Sequence, residues 1–83
     1  MRRKVFGLEY EVRYRDQVGT WGEVEFKKQI IWLPMDCLDG PRDLTEWHEL
    51  VHCIEFAYGW DLGEPMVDQL ATAIHAILRD NEL

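Results

Sequence analysis

The chain reads as an α+β domain in which a small antiparallel sheet of three to four strands is followed by two helices. Three observations predict this. Apolar residues alternate with charged ones every second position early in the chain, they recur at three- and four-residue steps in the second half, and Gly or Pro punctuates each change of period. With 83 residues, the sequence is expected to form one domain spanning 1–83.

Leu8, Tyr10, Val12 and Tyr14 alternate with Glu9, Glu11, Arg13 and Arg15, which predicts a half-buried strand with apolar groups on one face. A polar loop over Asp16 to Thr20 follows. Val24 and Phe26 then alternate with Glu23, Glu25 and Lys27 in a second strand. Ile30-Ile31-Trp32-Leu33 is apolar on both faces, so it suits a more central strand, ended by Pro34. The link Lys27-Lys28-Gln29 lacks the Gly or Asn of a tight hairpin turn. Asp39-Gly40-Pro41 marks a break that opens a helix, and Leu44, Trp47, Val51, Ile54 and Tyr58 give it one apolar stripe before Gly59 stops it. Pro65, at the first position after Glu64, starts a second helix with Val67, Leu70, Ala71, Ile74, Ile77 and Leu78 as the stripe to be buried.

Composition narrows the function classes. A formal charge of −7 opposes a nucleic-acid partner, which requires a Lys/Arg-rich face to displace counterions. No segment is long and apolar enough to span a bilayer, and the residues after Arg2-Arg3-Lys4 are too few and too polar for a secretory signal, so a cytoplasmic location is expected. Cys37 and Cys53 form no CxxC pair, and reduced thiols are the expectation. Oligomeric state leaves no trace in the sequence.

The segment that carries chemistry is His48-Glu49-Leu50-Val51-His52. Residues four apart on a helix lie one above the other, so His48 and His52 present two imidazoles to the same point, with Glu49 beside them. Neutral imidazoles suit zinc, and a carboxylate next to the metal can act as general base toward an activated water. Glu49 is that candidate. A third ligand must come from elsewhere, and Glu55, Glu64, Asp68 and His75 are the candidates. The metzincin pattern would need glycine at position 55 and histidine at 58, where this chain has Glu55 and Tyr58, so that class is rejected. Glu55 sits one turn beyond His52 and better suits a role behind a ligand or in solvent. Glu64 stands at the start of the second helix, returned toward the first by a short connection, with Asp68 one turn further in. His75 lies about 16 Å beyond Glu64 along a helix and cannot share an ion with it. Tyr10, Tyr14 and Tyr58, and the four tryptophans, read as packing residues.

Residues Gly22 to Asn81 resemble a group of small zincin-like metallopeptidases encoded by phages and prophages. The resemblance rests on GEVEFKKQIIWL, LTEWHELVHCIEFAYGWDLGE and VDQLATAIHAILRDN. It implies a minimal zincin-like fold, zinc held by His48, His52 and Glu64, Glu49 as base, and hydrolysis of a peptide bond in a peptide or protein substrate. The competing expectation is a small acidic binding protein, stabilised by zinc and acting without catalysis as a phage-type regulator of a host protein. An enzyme acting on a non-peptide amide or ester would use the same constellation.

Overall fold

The computed structural model describes residues 1–16, 22–35 and 42–83. In chain order the elements are β1 (Arg2–Val5), β2 (Leu8–Arg15), β3 (Glu23–Glu25), β4 (Ile30–Pro34), α1 (Arg42–Tyr58) and α2 (Glu64–Asp80). The α+β class is as the sequence predicts, with a four-stranded sheet followed by two helices. The expected break at Asp39-Gly40-Pro41 lies outside the described residues.

The sheet is mixed, in the order β1-β2-β4-β3, which corrects the expectation of an all-antiparallel one. β4 runs parallel to β2, with Val12 opposite Ile31 and Tyr14 opposite Leu33, while β3 returns antiparallel along its other side. The physical reason lies in β4, whose apolar residues on both faces favour a central place flanked on both sides. The chain therefore passes from β2 to the far edge and folds back inward. That return is a tight turn over Phe26–Gln29 without glycine. Gln29 itself adopts the left-handed conformation (φ 55°), and its side-chain amide donates to the Glu9 carbonyl at 2.9 Å.

β1 was not anticipated as a strand. It pairs antiparallel with β2 through a two-residue turn in which Phe6 and Gly7 both have positive φ (49° and 85°), the conformation that matches the twist of a hairpin. The basic run hides it, because Arg3 turns inward to pair with the buried Glu46 of α1.

Tyr10, Val12, Ile31 and Leu33 form the inner sheet face and pack against Leu50 and Cys53 of α1. The Tyr10 hydroxyl meets the Cys53 thiol, and burial pushes that thiol up to about 12, so Cys53 stays un-ionised. On its other flank α1 meets α2, where Val51, Val67 and Ala71 make a second small core with Leu62 beside it. α1 is thus gripped from two sides. α2 packs chiefly on α1, and its buried stripe is narrower than predicted: Val67 and Ala71 are buried, whereas Leu70 and Ile77 are exposed. Tyr58 and Trp60 are likewise exposed, and Trp32 lies on the outer sheet face under the guanidinium of Arg15. These are corrections to the reading of the aromatics as packing residues, which holds for Tyr10, Tyr14 and Trp47, while Trp21 lies outside the described residues. No helix of the described residues is long and apolar enough to cross a membrane.

Candidate metal centre

Helix α1 supplies His48, Glu49, His52 and Glu55 from successive positions on its flank toward α2 and β3. What brings α2 to them is the connection. α1 ends with Gly59 in the left-handed region (φ 70°), its N–H donating to the Phe56 carbonyl and that of Trp60 to the Glu55 carbonyl at 2.8 Å, a Schellman stop. The Leu62 N–H then donates to Glu55 Oε2 at 2.8 Å. Gly63, at φ 83° and ψ 152°, takes a backbone conformation reserved for glycine, and Pro65 fixes the first turn of α2. Glu64 is thereby delivered to the histidines.

The two oxygens of Glu64 divide between the rings: Oε2 lies 3.0 Å from His48 Nε2 and Oε1 lies 3.0 Å from His52 Nε2. Each opposite nitrogen faces a different carboxylate. His52 Nδ1 is 2.7 Å from Glu55 Oε1, and His48 Nδ1 is 3.4 Å from Asp68 Oδ1. An ionised carboxylate can only accept, so Glu55 favours the tautomer of His52 that carries its proton on Nδ1 and leaves the Nε2 lone pair free. That lone pair points at Glu64. Each Nε2 faces its own Glu64 oxygen at 3.0 Å, and two such electron-pair donors need something between them, either a proton on the nitrogen or a cation. In a tetrahedral site with ligand distances near 2.0–2.1 Å, neighbouring donor atoms stand about 3.3 Å apart. The donor atoms of His48, His52 and Glu64 all lie within 4.8 Å of one another, a group that could hold a metal ion.

Among the third-ligand candidates, the structure brings Glu64 to the convergent nitrogens and sets Asp68 and Glu55 behind the rings. His75, half-buried further along α2, is outside the group.

Glu49 is only 3% exposed. Desolvation pushes its carboxyl up to about 7, the neighbouring Glu64 charge adds to this, and His48 opposes it. Its cover is backbone: a Cβ on Gly22 would stand 2.6 Å from the Trp32 carbonyl oxygen and 3.3 Å from Glu49 Oε2. Only glycine lets the chain pass this close. Sequence reasoning did not single out Gly22, whose one signal is its place just before β3.

Beside His52 and Glu64 opens a cleft of about 430 Å³, walled by Phe26, Phe56 and Trp60 and bordered by Asp61. A separate cleft of about 480 Å³ lies against another flank of α1, between Val5, Phe6, Trp47 and Ile54, and holds none of the candidate ligands.

No protein-family model, curated protein or solved structure matches the chain. The chemistry of the site must therefore carry its own interpretation.

Proposed function

We propose that this chain is a zinc-dependent metallopeptidase of the small zincin-like kind found in phages, acting in the cytoplasm, with His48, His52 and Glu64 as metal ligands and Glu49 as general base. One observation carries the reading: both Nε2 atoms meet a shared carboxylate, Glu64, while the Nδ1 of His52 is backed by a second one, Glu55, at 2.7 Å. Such backing fixes ring orientation and raises ligand basicity, an expense of carboxylates that a pair of solvated histidines does not call for. Two imidazoles with one carboxylate are a donor set suited to zinc and leave a fourth position for water or substrate.

When bound, zinc supplies a Lewis acid that polarises a carbonyl and brings the pKa of a water to about 7. The chain's own residues do the rest. Glu49 takes a proton from the attacking water as the new C–O bond forms and delivers it to the amide nitrogen as the C–N bond breaks. Burial beneath Gly22 keeps that carboxylate away from bulk water, so the proton it accepts is held for the leaving amine.

The test is Glu49→Gln. Zinc content of the purified variant should equal that of the parent, while cleavage of an unfolded protein substrate at pH 7 should fall by about a thousandfold or more. Cleavage that survives the substitution would remove Glu49 from the mechanism. A biological effect that survives loss of cleavage would favour the acidic binding protein instead.

A further inference from the structure

We propose that the cleft beside His52 and Glu64 receives a lysine or arginine side chain of the substrate, adjacent to the bond that is cut; this rests on the peptidase reading above. The walls are aromatic and preassembled. Phe26 and Phe56 stack with ring centroids 4.4 Å apart and planes within 9°, and Trp60 stacks on Tyr58 at 4.7 Å. The Trp60 backbone is fixed in turn by its bond to the Glu55 carbonyl.

Three carboxylates border the same space, and two are committed. Glu55 accepts from Leu62 with one oxygen and faces His52 with the other, and both oxygens of Glu64 face imidazoles. Among the described residues Asp61 has no hydrogen bond or ion pair, and none of those lining the cleft is Lys or Arg. The occupant must answer both features. A purely apolar side chain would take water from Asp61 and give nothing back. An acidic one would meet like charge. A long cationic side chain lays its methylenes along the aromatic walls, presents its charge to the ring faces, and ends at a carboxylate. The −7 charge of the chain also draws cationic peptides to it.

The experiment uses the full zinc-loaded chain and three quenched-fluorescent decapeptides of Ala and Ser that differ only in a central Lys, Leu or Glu. Cleavage rates are measured for the parent chain, and binding by calorimetry for zinc-loaded Glu49→Gln. The Lys peptide should be bound and cut about tenfold better than the Leu peptide, with the Glu peptide poorest. Asp61→Asn, an exposed change, should leave zinc content intact and shrink the Lys advantage to about threefold or less. A preference for Leu, a Lys preference indifferent to Asp61→Asn, or no binding of any peptide would each overturn the assignment. Asp61-dependent binding of the Lys peptide without cleavage of any peptide would uphold it and remove the peptidase reading instead.

Discussion

The two helices hold their shares of the candidate centre by different means. On α1, His48 and Glu49 are 8% and 3% exposed, in a helix gripped by the sheet on one side and by α2 on the other. On α2, the side chains of Glu64 and Asp68 are 69% and 66% exposed, in the first turns of a helix packed on α1. Packing fixes the rotamers of the first set, whereas the second depends on the link: the Schellman stop, Leu62 on Glu55, Gly63 and Pro65. A site so divided has candidate ligands that the core preorganises and one candidate that a short connection delivers.

The largest effect should come from the delivered ligand. Glu64→Ala should lower zinc affinity about a hundredfold or more, because one of three protein ligands is lost. Being exposed, it should change the metal-free unfolding free energy by less than about 0.5 kcal/mol. Competition against a chelating dye and urea unfolding in EDTA measure the two. Unchanged affinity would pass the ligand role to Asp68 and undo the contrast.

Glu49 should behave in the opposite way, showing itself in stability before any metal is added. Its carboxyl is raised from the ordinary 4.5 to about 7, so the fold favours the protonated form. That contribution is complete below pH 4.5 and is lost as pH rises through about 7. The span corresponds to about 3 kcal/mol. Metal-free Glu49→Gln should therefore match the parent at pH 4 and exceed it by up to about 3 kcal/mol at pH 8, in urea unfolding with EDTA present. Parallel pH profiles would mean that the carboxylate is not desolvated.

The same division explains what the sequence could tell. β2 was legible because Tyr10 and Val12 alternate with charges, and α1 because Val51 and its neighbours recur at helical steps. β1 was not, because its inward residue Arg3 satisfies a buried carboxylate, and an ion pair leaves no hydrophobic period. The two-sided apolarity of β4 predicted a central place but not its direction, since strand polarity depends on which edge the chain reaches first. His48 and His52 were legible from spacing alone. Glu64 and Asp68 were not separable by spacing, as both lie in the first turns of α2 and differ in which nitrogen of which ring they meet. The leading third-ligand position from the sequence is the one the geometry brings to the convergent nitrogens. Gly22 escaped because its constraint, a backbone pressed over Glu49, exists only after β3 and α1 have met.

The smallest effects separate the two supporting carboxylates. Glu55 lies at 2.7 Å from His52 Nδ1, its side chain is 12% exposed, and it also anchors the Leu62 N–H that positions the link to Glu64. Glu55→Gln should cost about tenfold to a hundredfold in zinc affinity, the range found when a partner behind a ligand histidine is lost. Asp68 stands 3.4 Å from His48 Nδ1, mostly in solvent, where screening weakens the contact. Asp68→Asn should therefore cost about threefold, and that loss should fade at high salt while the Glu55→Gln loss persists. Equal losses would mean that an exposed contact at 3.4 Å supports a ring as well as a buried one at 2.7 Å, and preorganisation by burial would no longer distinguish the two helices.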